Sequence, residues 1–380
     1  SDSIRGPGKF LMSNSTSKEN GPDEGWNVNE DSPNSSTVLT NFTNIGFNVG
    51  GATNWNENNG NYVAWAWKAG GAPTVVNNSA GTISGGTGTV YPLAGQAATD
   101  NSVSIDGELQ TEYEYPAADI YPYKMSVNTK SGFSILHYRP NKTGDSVTIP
   151  HGLGKKPAFI IVKNLVNGSS NWRVYHHSLE QGKSLILNDH TKGLQSDTDL
   201  FKSCDEQLMT FGRNWEIMST WSNSVDDYIC YAWTEIPGYS SFGHVYNESD
   251  DGCFVNCGFK PSFVIWKNLN AGAWMVHDTG RNPNNLQVDS LDLSRNYAES
   301  TFGYGDIMNF VSNGFKLINN STPNYYQAGE GFIYAAFADS STFGELGDKA
   351  KANPIVLNSQ KGFKAVTDFG ANDSVTVGWK

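Results

Sequence analysis

A self-similarity spaced by 104 residues limits most strongly what this chain can fold into. Gly154-Lys155-Lys156-Pro157-Ala158-Phe159-Ile160-Ile161-Val162-Lys163-Asn164-Leu165 matches Gly258-Phe259-Lys260-Pro261-Ser262-Phe263-Val264-Ile265-Trp266-Lys267-Asn268-Leu269 at that offset. Tyr228-Ile229-Cys230-Tyr231-Ala232-Trp233 matches Phe332-Ile333-Tyr334-Ala335-Ala336-Phe337 at the same offset. Between them, Trp172-Arg173-Val174-Tyr175-His176 aligns with Trp274-Met275-Val276-His277-Asp278. Signals kept in order at offsets of 104, 102 and 104 predict two successive units of one fold. Fragments of further units flank them. Tyr62-Val63-Ala64-Trp65-Ala66-Trp67 repeats the alternation of Tyr228 to Trp233, and the stretch from Lys361-Gly362-Phe363 to Val377 echoes the one from Ser131-Gly132-Phe133 to Ile149.

The expected organisation is therefore a partial β module over 1–69 and a Gly/Ala/Thr-rich insert or arm over 70–130. Modules over 131–237 and 238–340 follow, and 341–380 is a linker with the start of a further module. In the insert, Tyr113, Tyr115, Tyr121 and Tyr123 are aromatics able to anchor it on a neighbouring module. A half module at each end exposes an open strand edge, which needs a partner chain or a missing half.

Each unit reads as strands. In Tyr62 to Trp67 the large Val63, Trp65 and Trp67 point one way and Ala64 and Ala66 the other, the period of two that a strand requires. Ala158 to Val162 is a short apolar run after Lys-Pro, and Pro157 and Pro261 suit strand starts where no ladder donor is needed. Only 17% of residues are charged and 40 of 380 are Gly, against typical shares of about 25% and about 7%. Ala, Leu, Glu and Lys are too sparse for a helical bundle, and 12% aromatics rule out a disordered composition. The fold class expected is all-β: tandem β-sandwich modules of about 104 residues with a Gly-rich insert. One short helix is expected over Asn285–Glu299.

Charge and chemistry narrow the function. A net charge of −12 without a basic cluster argues against nucleic-acid binding, and no apolar run is long enough to span a membrane as a helix. Cys204, Cys230, Cys253 and Cys257 read as small buried hydrophobes, since no second ligand pair accompanies Cys253 and Cys257 at zinc spacing. His176 and His177 face opposite sides of a strand and read as exposed or rim histidines beside a core Trp; the second unit has His277-Asp278 there. His151, in a Gly-rich turn, reads as structural. Asp226-Asp227, Asp250-Asp251 and Glu112/Glu114 are the visible carboxylate clusters, and the first two read as turns. The sequence implies no catalytic residue, metal or cofactor.

Several stretches carry a resemblance. Tyr62-Val63-Ala64-Trp65-Ala66-Trp67-Lys68-Ala69-Gly70-Gly71 resembles a signature of repetitive tail and fibre proteins of marine bacteriophages, those of cyanobacteria included. The run His151 to Lys163 with Trp172-Arg173-Val174-Tyr175-His176 is similar to the core of the same modules, and Ile236-Pro237-Gly238-Tyr239-Ser240-Ser241-Phe242-Gly243 to their linker. Ile4-Arg5-Gly6-Pro7-Gly8-Lys9-Phe10-Leu11 also fits. The resemblance covers most of the chain apart from 72–130 and carries no assigned activity or functional residues. It implies a virion structural protein, a tail fibre or surface appendage acting outside the cell. Its partners would be copies of itself (a trimer by analogy), other virion proteins, and a host surface glycan or receptor. Trp55, Trp221, Tyr246, Tyr325 and Tyr326, in loops or at loop edges, are the candidate contacts, since aromatic faces are amphipathic. Trp65, Trp67, Trp172, Trp233, Trp266 and Trp274 are the candidate core. Two alternatives remain at this point: a capsid decoration or filament-forming protein, and a tail-spike polysaccharide depolymerase.

Overall fold

The computed structural model describes residues 62–77, 98–140, 144–219, 226–246, 252–287, 289–297, 299, 308–318 and 330–338. It also describes the short stretches 11–12, 25–27, 33–34, 39–43, 46–50, 81–82, 89–90, 363–367 and 374–376. The fold is all-β, and no helix occurs among the described residues.

Two sandwiches follow one plan. In the first, strand Tyr228–Trp233 sits between Phe133–Tyr138 and Phe159–Asn164, and Arg173–His176 and Lys183–Ile186 extend the sheet. A smaller sheet, Ser146–Pro150, Leu208–Gly212 and Phe201–Cys204, lies across it. In the second, Gly331–Phe337 sits between Ser240–Tyr246 and Phe263–Asn268, followed by Trp274–Asp278 and Leu291–Asp292. Its smaller sheet is Cys253–Asn256, Gly314–Leu317 and Met308–Val311. The registers agree: Phe159 opposes Trp233 as Phe263 opposes Phe337. The Ala158 amide donates to the Trp233 carbonyl as the Ser262 amide does to that of Phe337.

The central strands are buried on both faces, which is why they read as nearly continuous apolar runs. Ile160, Val162, Tyr228, Cys230 and Ala232 fill the first sandwich. Val264, Trp266, Phe332, Tyr334 and Ala336 fill the second. The alternate residues, Phe159, Ile161, Tyr231 and Trp233 with Phe263, Ile265, Ile333 and Phe337, meet in one core shared by both, against which Trp65 and Trp67 pack. Trp67 stands edge-on to Trp233, Phe263 and Phe337 at centroid distances of 6.2, 5.3 and 5.6 Å. Aromatic pairs of this kind stabilise by about 0.5–1.5 kcal/mol each beyond area burial. Polar bonds join the same units: Trp274 Nε1 donates to the Ile186 carbonyl at 2.8 Å and His176 Nε2 to that of Tyr334 at 3.1 Å.

The two ends of the chain supply each other's partners. Strand Phe363–Thr367 pairs antiparallel with Val63–Trp67, Phe363 opposite Trp67, as Phe133 stands opposite Trp233. Ser374–Thr376 pairs with Gly46–Val49, Val375 opposite Phe47, as Val147 stands opposite Phe211. Leu39–Phe42 completes that small sheet with a register shift between Leu39 and Asn41, and the first sandwich has its own shift between Phe201 and Ser203. The open edges expected from the sequence at the two half modules are thus paired within the chain.

Two further expectations, the helix over 285–299 and the burial of all four cysteines, differ from what forms. The described residues of 285–299 hold no helix: Gln287 bridges to Met308, and Leu291 pairs with Val276 in a sheet. Residues 98–130 lay strands Val103–Ile105, Glu108–Leu109 and Lys124–Asn128 onto the edge of the first large sheet, Lys124–Asn128 pairing with Phe133–Tyr138. Gly70 lies tight against this segment, since a Cβ there would lie 1.9 Å from the Val127 carbonyl oxygen. Of the cysteines, all free, only Cys230 is fully buried, and Cys204, Cys253 and Cys257 are half-buried.

Candidate functional site

Most of the buried titratable groups are occupied in holding the structure. His176, expected at a rim, is buried, while His177 is exposed and bonds the Phe242 carbonyl. Burial lowers the His176 pKa to about 3, with His177 next in effect. At the junction between Trp65 and the second sandwich, Arg281 bonds Asp278 at 2.6 Å and Glu299 at 2.9 Å, all three buried, and Trp65 Nε1 donates to Asp278 at 3.1 Å. Burial works against the Arg281 charge, but Asp278 and Glu299 outweigh it and its pKa is raised. Asp227, expected in a turn, accepts from the Tyr123 hydroxyl at 2.8 Å and from Arg139 at 2.8 Å, tying the segment before strand Lys124–Asn128 to the first sandwich. Asp226 accepts from Asn164 at 3.1 Å. Tyr123 is held well above its ordinary pKa by burial and Asp227, so it is a phenol rather than a phenolate. No group of three or more His, Cys, Asp or Glu able to hold a metal ion occurs among the described residues.

One feature open to a ligand among the described residues is a cleft of about 360 Å³ between the inserted segment and the first sandwich. Tyr113, Glu114, Tyr115 and Pro116 line one side, Gly152 and Gly154 the floor, and Glu206 and Gln207 the other side. Its size falls in the roughly 300–1,000 Å³ range of small-molecule sites.

Each wall is fixed locally. The Tyr113 carbonyl accepts from the Ala98 amide at 2.8 Å. The Tyr113 and Tyr115 rings stand edge to face at 5.0 Å, Tyr115 and Tyr121 lie 5.1 Å apart, and the Tyr115 hydroxyl donates to the Pro122 carbonyl at 3.1 Å. The opposite wall is an Asx turn, in which Asp205 Oδ1 accepts from the amides of Gln207 at 2.8 Å and Leu208 at 2.7 Å. Those two bonds hold the Asp205 carboxyl below its usual pKa.

His151 joins wall to floor. Its amide donates to the Gln207 carbonyl at 3.2 Å, its Nε2 to the Asp205 carbonyl at 3.2 Å, and its Nδ1 accepts from the Leu153 amide at 3.2 Å. That pattern requires the neutral ring, and burial lowers its pKa to about 4. The floor residue Gly152 has a φ of 73°, and a Cβ there would meet Val127 at 2.7 Å; a Cβ on Gly154 would meet nothing within 4 Å. The floor is therefore bare backbone.

Of the five contacts expected from the sequence, Tyr246 ends an edge strand of the second sandwich, 58% exposed, its ring 6.4 Å from that of His244. It does not line the cleft. Trp55, Trp221, Tyr325 and Tyr326 lie outside the described residues, as do Asp250 and Asp251. The six tryptophans expected in the core are there: Trp172, Trp233, Trp266 and Trp274 are buried, and Trp65 and Trp67 are half-buried against the shared core. The sequence marks the cleft only through the Tyr-Glu-Tyr-Pro run, whose aromatics it reads as anchors. Tyr115 is one; Tyr113, half-buried, also faces the cleft. Glu206 and Gln207 carry no signal beyond a polar turn.

These features define an all-β protein of sandwich type with a ligand-sized cleft on an inserted segment. The chain belongs to the family described as "Domain of unknown function (DUF7483)", whose model matches residues 1–97 and 120–341. The match leaves out 98–119, the stretch that brings Tyr113 to Pro116 to the cleft. Neither a curated protein nor a solved structure matches the chain.

Proposed function

We propose that the chain is a structural protein of a bacteriophage particle, a tail fibre or surface appendage that contributes to host attachment, and that it is not an enzyme. The observation that carries this reading is the shared core. Sheets buried on both faces and joined through Trp65, Trp67, Trp233, Phe263 and Phe337 form a body suited to bearing load rather than to opening around a substrate. The occupation of Asp227, Asp278, Arg281 and Glu299 in structural bonds supports the same reading. The partners are other virion proteins, further copies of the chain and a host surface glycan or receptor, and the place of action is the particle surface. No described helix is long and apolar enough to cross a membrane.

The test is immunogold labelling of phage particles with antibody raised against the chain, alongside competition of particle adsorption by the purified protein. Label on an appendage and slowed adsorption are expected. Particles that carry no label and adsorb at an unchanged rate overturn the reading.

A further inference from the structure

We infer that the cleft between residues 113–116 and the first sandwich is a binding site for a neutral sugar, the hexose-type residues of an uncharged surface polysaccharide. The inference rests on the adhesive reading above and gives it a place and a ligand chemistry.

The lining argues for this class. Tyr113 and Tyr115 set two rings edge to face at 5.0 Å beside Pro116, an apolar wall of the kind on which the C–H face of a sugar ring packs. Glu114, Glu206 and Gln207 are exposed and place carboxylates and an amide around that wall. Carboxylates accept from hydroxyl donors through charge-assisted bonds, the stronger kind, and one carboxylate can take two neighbouring hydroxyls. The floor at Gly152 and Gly154 has no side chains, so a ring can approach the backbone.

The charge selects among sugars. Two carboxylates and no cation line the cleft, and Lys155 and Lys156, though exposed, are outside the lining. A sulfated or uronate residue would meet like charge without a compensating partner, a cost that rejects anionic ligands. A neutral polyol meets carboxylate acceptors at Glu114 and Glu206 and an amide at Gln207 that both donates and accepts.

The family comparison adds an independent observation. The matched residues stop at 97 and resume at 120, so Tyr113 to Pro116 lie outside the match while Gly152, Gly154, Glu206 and Gln207 lie inside it. One wall of the cleft thus stands apart from the matched scaffold, the arrangement in which loops carry function on a fixed frame.

The experiment is a glycan array of neutral hexose, 6-deoxyhexose, uronate and sulfated oligosaccharides, probed with the full chain and with Tyr113→Ala, Glu206→Gln and Phe254→Ala, an exposed residue outside the cleft lining. Binding to neutral glycans is expected, weakened about tenfold or more by Tyr113→Ala and clearly by Glu206→Gln, with Phe254→Ala unchanged. Tyr113 is half-buried and Glu206 exposed, and an unaltered thermal unfolding curve shows each variant folded. If Tyr113→Ala unfolds, Glu206→Gln alone decides. Preference for anionic glycans, no binding to any neutral glycan, or neutral binding that both cleft variants leave intact overturns the inference. The two readings fail separately. Labelled particles with an inert cleft sink the sugar site alone, and unlabelled particles with a cleft that binds neutral glycans sink the virion reading alone.

Discussion

Lowering the pH from 8 to 5 will unfold this protein far more readily than its carboxylates alone would predict. Four histidines are buried: His137, His151, His176 and His277. Burial lowers their pKa to about 3, 4, 3 and 3, and the cations Lys124 and Arg139 add to the effect at His137 and Arg281 at His277. In the unfolded chain each titrates near 6.5. Between about pH 6.5 and 4 the unfolded state therefore binds protons that the folded state refuses, so stability rises with pH across that window. The contribution is complete above about 6.5 and is lost as pH falls.

At pH 5, about 1.5 units below the unfolded value, each histidine costs about 2 kcal/mol and the four together about 8 kcal/mol. That equals the whole stability of many domains, about 5–15 kcal/mol. Asp205 and Asp189, held below their usual pKa, act only below about pH 4. Asp227, whose pKa burial raises despite Arg139, acts in the opposite direction. The assay is urea unfolding followed by tryptophan fluorescence at pH 8, 7, 6 and 5 and fixed ionic strength. The midpoint should fall by about 2 M or more, given urea slopes of about 1–3 kcal/mol per M. His176→Gln and His277→Gln should each flatten that dependence by about a quarter, one of four equal shares. A midpoint independent of pH between 8 and 5, or variants with an unaltered dependence, refutes the reasoning.

Three other perturbations test the architecture. Deleting residues 361–380 removes the partner of strand Val63–Trp67; the free edge should drive association or aggregation, and a truncated chain with the same subunit count by light scattering as the full chain and unchanged melting contradicts the pairing. Trp67→Ala removes a ring in contact with Trp233, Phe263 and Phe337 and should cost about 3 kcal/mol in chemical denaturation, where a loss below about 1 kcal/mol speaks against a shared core. Arg281→Met leaves Asp278 and Glu299 buried without their cation and should cost about 3–5 kcal/mol, more than Arg295→Met, whose side chain bonds Asp292 but is partly exposed; equal losses would refute the ranking.

How much of this was legible in the sequence follows from how far apart the partners lie. The strands Phe159–Asn164 and Phe263–Asn268 were legible because both faces are apolar and the pattern recurs. The large-and-small alternation of Val63 to Trp67 was legible as a strand, yet its Trp face packs against the shared core between sandwiches, and periodicity alone does not say which neighbour a face meets. The pairing of Phe363 with Trp67 joins the two ends of the chain, and no local propensity marks such a contact. Over 285–299 the expected helix lost to a sheet partner, Val276 opposite Leu291, that lies outside the segment.

The cleft was the least legible part, for a physical reason. A core announces itself because burial demands apolar residues at a fixed period, whereas a recognition wall is made of exposed residues free of that demand. Tyr113 and Glu206 come together only because Tyr115 is anchored through the Pro122 carbonyl and because His151 ties the 151–154 turn to the Asp205 turn. The anchors are bonded, His151 fully buried and Tyr115 half-buried; of the residues they present, Glu206 is exposed and Tyr113 half-buried. His151 therefore links the two tests. With a folded-state pKa of about 4, the ring stays neutral and keeps its bond from the Leu153 amide down to the pH at which the chain itself unfolds, so a ligand held in the cleft should be released together with the global transition. Release at a pH where the chain is still folded would show that the ring protonates in the folded state more easily than its burial implies.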